Sequence, residues 1–375
     1  MSANEVIKEE PYFKKLSYNL LCIVLAGLIL YLGKDIILPL LFGMLLACLL
    51  FPITSFLARK KVPEFLSILL PLLVSLLSMA GVIYLLSSQI AHFFDDLPAL
   101  KKHLADLTDS FQDWIGEHLH ITARKQEQYI NETTEKVKTE GPKLIGATFL
   151  SLTEMITYAV LIPVYTFLVL YYRKTIKKFF VMQFKKTPQD KVLDILYQSR
   201  AISQRYVSGL LIETCIVFTL NTIGFLILGI QYAIFLALTA ALLNLVPYIG
   251  MLVANLLCII VTLITADNPA DALWVGVVLA VVQLFDNNIG MPLIVGNNVR
   301  INALATIVGV LVGGALCGIP GMFLAIPGLA VMKVISDRVP TLQAWGMLLG
   351  DEISERKHDT GEKLKSMLQP GKKKR

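Results

Sequence analysis

Charge is scarce in this chain. Only 17% of its 375 residues are Asp, Glu, Lys or Arg, against 55% apolar ones, whereas a soluble domain carries about 25% charged and under about 50% apolar residues. One globular core stops growing near ~250–300 residues, so this apolar excess cannot be hidden from water. That excludes an ordinary soluble enzyme and a disordered chain. Cysteine is sparse as well. Cys22, Cys48, Cys215, Cys258 and Cys317 all sit inside apolar runs and form no C-x-x-C pair. They read as small buried residues, which excludes a disulfide-rich secreted module and a cysteine-held metal. The short alternating segments of a membrane barrel are missing too. So are a Walker A sequence, a nucleophile elbow, an H-E-x-x-H pair and a dinucleotide fingerprint. No catalytic residue, no metal, no cofactor and no ATP-driven step is expected of such a chain. An all-α polytopic membrane protein remains, because apolar runs of about 20 residues are what a bilayer core needs.

What is present divides into about eight such runs. Residues 1–90 hold the first three spans, at about 16–32, 36–57 and 65–90. The start, with Glu5, Glu9, Glu10 and three lysines before the first run, has no small-residue cleavage site and predicts an uncleaved span. Residues 91–145 are polar, yet Leu97, Leu100, Leu104, Leu107, Phe111 and Trp114 recur at spacings of three and four, which predicts an amphipathic helical insertion. His118 and His120 face different sides of that helix and do not form a metal site. The fourth span is 146–172. The segment 173–206 is basic: up to residue 205 it carries nine Lys/Arg against Asp190 and Asp194. Residues 207–335 form a C-terminal membrane core, and 336–375 a tail ending Lys372, Lys373, Lys374 and Arg375. Positive loops stay in the cytoplasm. That places both termini, the 58–64 loop and 173–206 inside, and the insertion 91–145 outside. Basic flanks of this kind meet anionic membrane lipids; nothing in the pattern reads as nucleic-acid binding.

Two runs in the core, 233–265 and 303–335, are too long for one simple span. Pro247-Tyr248-Ile249-Gly250 interrupts the first. Gly313-Gly314, Gly318-Ile319-Pro320-Gly321 and Pro327-Gly328 interrupt the second. Each is either a kinked span or a re-entrant hairpin, and the few charges of the flanking loops favour hairpins. Gly43-Met44-Leu45-Leu46-Ala47, Gly250-Met251-Leu252-Val253-Ala254 and Gly321-Met322-Phe323-Leu324-Ala325 match one another, each soon after a proline, as a weak internal repeat.

A charged side chain inside a span is expensive and marks a candidate site. Asp286 stands alone in its run at mid-depth. Gln283, Asp286 and Asn287 fall at i, i+3 and i+4, on one helical face. Asn288, Gly290 and Pro292 follow and should unwind the helix, leaving an oxygen-rich pocket suited to a polar solute, a proton or a monovalent cation. Glu213 lies a turn or two inside its own span, near Arg205. Glu154 lies near the outer end of the fourth. Asn221, Asn244, Asn255 and Asn302 add amides at or inside the membrane.

Three stretches carry a resemblance: "NLVPYIGMLVA" at 244–254, "FDNNIGMPLIVGNNVRINALA" at 285–305 and "GVLVGGALCGIPGMFLAIPGLAVMK" at 309–333. Together they resemble the autoinducer-2 exporter family of bacterial permeases, and the span layout follows that family along nearly the whole chain. The resemblance implies a secondary transporter of the bacterial cytoplasmic membrane. Its cargo would be a small polar solute such as autoinducer-2 or, as in other members, sodium or lithium exchanged for protons. It also implies homo-oligomers, pentamers among them. Carried over by position, the shared elements are Pro247, Tyr248 and Gly250; Asp286, Asn287, Pro292 and Gly296; and Gly313, Gly314, Gly318, Pro320, Gly321 and Pro327. A different class, a membrane scaffold that binds partners through 91–145 or 173–205, stands as the alternative.

Overall fold

Without water in a bilayer core, each backbone polar group must be paired within its own segment, and helix does this locally. A computed structural model describes residues 12–95, 156–185, 187–247, 249–266, 268–290 and 301–350; among them there is no strand. Most of the insertion 91–145, Glu154, Tyr248, Pro292, Gly296 and the lysine-rich tail lie outside the described residues.

The first part of the fold is a set of apolar helices. α1 (Tyr12–Leu32) turns at Gly33 into α2 (Lys34–Arg59), and α3 (Glu64–Asp95) returns antiparallel to it. α4 (Ile156–Tyr171) packs against both, and α5 (Arg173–Gln183) leaves its end at 67°. Ala47, Leu50, Ile68, Leu72 and Leu170 make the core of this bundle. The α2–α4 approach is close because Gly43 has no side chain: a Cβ there would lie 2.8 Å from that of Tyr165. Thr166 uses the space, its buried hydroxyl donating to the carbonyls of Ile162 (2.7 Å) and Gly43 (3.2 Å). Outward, α1 shows Ile23, Val24, Ile29 and Leu32 to its surroundings, the inverse of a soluble surface and the expected face toward lipid.

α6 (Gln189–Ile227) is a single helix of 39 residues, roughly 58 Å long at 1.5 Å per residue. A hydrocarbon core of about 30 Å takes only its apolar part. The first third of α6 lies at the end of the bundle where Arg173 and Arg200 meet at the Phe51 ring, here termed the basic end. The sequence boundary at residue 206 is therefore a change of composition inside one helix.

Both interrupted runs fold as hairpins. α7 (Ala233–Leu243) and α8 (Ile249–Thr265) flank the break at 244–248. They lie antiparallel, since the Cys258 thiol approaches the Leu236 carbonyl at 3.6 Å. Ala237, Ala240 and Ala254 keep the two limbs close. Gly250 touches the Leu243 carbonyl across the tip, where any Cβ would collide. α9 (Ala270–Phe285) then packs on this pair through Val275 and Leu279. The second hairpin is α10 (Ala303–Arg338), which reverses at Gly318 with φ 65° and ψ −152°, a conformation essentially confined to glycine. Its limbs meet where Gly313 faces Gly321 and Gly309 faces Leu329. α11 (Gln343–Leu349) closes its base. Asn302 accepts from the Ala305 amide (2.7 Å) and donates to the carbonyls of Leu348 and Gly350 (2.5 and 3.2 Å). Lys333 donates to Asp337 and to the Gly346 carbonyl. The Gly43 copy of the weak repeat lies in an unbroken helix, whereas the Gly250 and Gly321 copies each open the second limb of a hairpin.

The two hairpins enter from opposite ends of α6. The first opens beside Phe225 and Ile230. The second opens at the basic end, where Arg338 pairs with Asp194 at 2.8 Å. They meet partway along α6: Leu245 of the first tip and Phe323 and Ile326 of the second pack on Tyr206 and Leu210. Phe323 also stacks on Phe42 of α2, with ring centroids 5.5 Å apart.

Candidate functional site

The buried face of α6 runs through Ser203, Tyr206, Leu210, Glu213, Val217, Asn221 and Phe225, the three-and-four spacing of one helical stripe. It therefore carries polar groups into the interior beside the hairpin tips. Glu213 is 4% exposed. On the facing element, α9 widens after Phe285 into a π-helical turn, Asp286–Gly290. Such single turns are rare and cluster at functional sites. Asp286 heads the turn and is also 4% exposed.

The fold puts these two carboxyls together. Asp286 lies in hydrogen-bonding range of the Glu213 carboxyl, and the Asn244 side chain, the first residue of the α7–α8 break, reaches Asp286 as well. Oε2 of Glu213 is buried with no hydrogen-bond partner. The Tyr206 hydroxyl group is in electrostatic range of Glu213. Gly290 leaves room for the Asp286 carboxyl: a Cβ there would stand 2.6 Å from Oδ1. Toward the far end of α6, Val217, Ala241 and Val282 close the pair off with apolar contact. Two like-charged groups in buried contact repel strongly. A proton held between them, or a cation, relieves that repulsion.

The other sequence candidates fall in different places. The Gln283 amide donates to Asn287 Oδ1 at 3.1 Å, and Asn288 donates back to the Leu284 carbonyl at 2.7 Å. Asn287 and Asn288 are exposed, because consecutive side chains of the turn point around the helix while Asp286 and Gly290 point inward. The structure brings Asp286 together with Glu213 and Asn244, and does not bring these three amides to the pair. Pro247 and Gly250 shape the first tip. Gly313, Gly314, Gly318, Pro320 and Gly321 shape the second, Gly314 against Met322. Pro327 is fully buried on the returning limb. Asn302 is a helix cap. Asn221 is 2% exposed, with its Oδ1 unpartnered. The sequence does not single out Tyr206, and it marks Gly290 only as a helix breaker, not as the space for the Asp286 carboxyl. Their signal was spacing: Tyr206 precedes Glu213 by two turns on one stripe, and Gly290 follows Asp286 at i+4. Among the described residues no group of three His, Cys, Asp or Glu could hold a metal ion.

Several known proteins are similar to this chain along most of its length. YueF of Bacillus subtilis is 29% identical over 307 residues, covering 78% of this chain and 82% of its own length. MT0215 of Mycobacterium tuberculosis is 26% identical over 299 residues, 79% and 80% of the two chains. YhhT of Escherichia coli K12 is 25% identical over 332 residues, 88% and 92% of the two. Each bears a provisional transport-protein name. The profile described as AI-2E family transporter matches residues 20–341. With opposed broken hairpins and apolar helices long enough to cross a membrane, the chain is a multi-pass membrane protein that belongs to the AI-2E transporter family.

Proposed function

We propose that this transporter couples its cargo to protons at the Glu213–Asp286 pair, and that a monovalent cation is the cargo the pair fits best. One observation carries the reading: two buried carboxyls in contact, with one oxygen unpartnered, beside the tip of a broken helix. Such a pair takes either one proton or one desolvated monovalent cation, each cancelling the same repulsion. Competition for one place is the minimal requirement of an exchanger. Asn244 belongs to the hairpin tip, so a shift of the tip would change the site's oxygen set as it opened. In this reading the membrane is the bacterial cytoplasmic membrane, with the basic end and both termini inside.

A second cargo, a small polar solute such as autoinducer-2, is favoured by the amides of half-buried Gln283 and of exposed Asn287 and Asn288, which lie away from the pair. Its export would draw on the same proton site.

The test is flux in proteoliposomes, normalised to correctly assembled protein. Sodium, lithium or autoinducer-2 is offered on one side and proton movement is read with a pH dye. Asp286→Asn and Glu213→Gln keep shape and remove charge. Both are expected to assemble, since an amide costs less to bury than a carboxylate, and both should lose coupled flux or its pH dependence. Asp286→Glu should retain part of it. Wild-type flux with an unchanged pH profile in both neutral variants would remove the pair from the mechanism.

A further inference from the structure

The α4–α5 corner holds a cluster of cations that transport at the carboxyl pair does not use. The Arg200 guanidinium lies over the Phe51 ring, 3.9 Å from its centroid, and that of Arg173 is 5.8 Å from the same centroid. Arg173 spends one nitrogen on Glu64, Nη2 to Oε1 at 3.2 Å, and Lys174 shares that carboxylate at 3.4 Å. Arg173 Nη1 and Arg200 Nε are buried with no hydrogen-bond partner. Two guanidinium groups on one ring, with donors left open and one carboxylate near one of them, form an incomplete anion site. Arginine's planar fork suits phosphate oxygens.

α5 supplies the second half of the argument. It has no buried residue, although its sequence is strongly two-faced. Ile176, Phe179 and Phe180 lie at i, i+3 and i+4 on one arc, and Lys174, Lys177 and Lys178 at the same spacing on another. Ile176, Phe179 and Met182 are exposed. The helix leaves the apolar α4 at 67°, at a corner that carries exposed Tyr171 and Tyr172. Tyrosine pairs of this kind sit at headgroup depth. A basic, apolar-faced helix bent off the end of a span lies in the membrane interface, with its apolar arc among the acyl chains.

We propose that Arg173 and Arg200, stacked on Phe51, bind the phosphate of an anionic glycerophospholipid whose acyl chains run along the apolar arc of α5. A lipid fits better than free phosphate because the apolar arc would otherwise be uncovered beside the cation site.

The test uses the purified full-length protein in detergent, incubated with phosphatidylglycerol, phosphatidylcholine or inorganic phosphate and read by native mass spectrometry. The wild type should retain phosphatidylglycerol over phosphatidylcholine by about tenfold or more. Arg173→Gln with Arg200→Gln should lose that preference, because the choline cation of phosphatidylcholine is repelled by the two guanidinium groups and the uncharged glycerol headgroup is not. Lys60→Gln with Lys61→Gln, which removes equal charge from the same end, should keep it. No preference in the wild type, wild-type retention in the arginine variant, or displacement of the lipid by inorganic phosphate at equal concentration would each overturn the proposal. Phe179→Trp, with the arginines intact, gives a reading independent of arginine replacement. Its fluorescence should be quenched by brominated phosphatidylglycerol well beyond brominated phosphatidylcholine, and equal quenching refutes the site.

Discussion

Replacing Gly313 by alanine tests the second hairpin where its limbs are closest. The new Cβ would stand 2.5 Å from the Gly321 carbonyl oxygen and 2.9 Å from its carbon. A carbon and a carbonyl oxygen rest near ~3.3 Å, so the limbs must part by roughly 0.8 Å, and both are backbone at that point. Overpacking of this kind costs about 1–3 kcal/mol. Alanine returns about 0.5–1 kcal/mol through its better helix propensity. The expected net loss is about 1–2 kcal/mol. Gly328 in the same hairpin is the control, because nothing lies within 4 Å of a Cβ there. Gly328→Ala should therefore stabilise, by about 0.5 kcal/mol. Reversible unfolding in mixed micelles, followed by circular dichroism, measures both variants. If Gly313→Ala matches the wild type, or Gly328→Ala falls as far as Gly313→Ala does, the close antiparallel packing of the limbs is refuted.

Gly290→Ala should displace the Asp286 carboxyl, whose Oδ1 would stand 2.6 Å from the new Cβ; flux per assembled protein should fall while assembly in gel filtration is unchanged. Asn302→Ala removes the cap of α10 and the two donors that hold α11. It should cost about 1–2 kcal/mol and speed proteolytic cleavage near residues 339–342. Arg338→Ala should change stability little, because its pair with Asp194 is open to solvent, and any difference should vanish in high salt. Cysteines placed at Thr187 and at Asn268 should label from opposite faces of the membrane, since the first lies at the start of α6 and the second beyond the open end of the first hairpin; labelling from one face would refute the layout.

Several structural features were legible in the residues because they follow from local chemistry. Apolar runs of bilayer length mark spans whatever they pack against. Glycine and proline mark breaks because they change backbone freedom and donor count, and the Pro247–Gly250 and Gly318–Gly321 stretches do fall at hairpin tips. The same residues permit either a kinked span or a hairpin, and the charges of the flanking loops favour the hairpin, so the choice lies outside local chemistry. Contacts between limbs, such as Cys258 on Leu236 and Gly313 on Gly321, make each run a hairpin. Each buried carboxylate could be flagged singly, because its burial is costly wherever it sits.

Their meeting could not be read in the same way. The sequence offers Arg205 as a neighbour for Glu213, one span away from Asp286, and gathers Gln283 and Asn287 beside Asp286 by regular helical spacing. The fold instead places α9 against α6 so that Asp286 faces Glu213, and the π-helical turn sends Asn287 and Asn288 outward. The sequence by itself determined that the chain lives in a membrane, which residues break its helices and which charges are out of place there, because hydropathy and backbone chemistry act within a few residues. Only the tertiary structure decided that two hairpins enter from opposite ends and that Glu213, Asp286 and Asn244 share one place, because side chains on separate helices meet through packing geometry that no local pattern encodes.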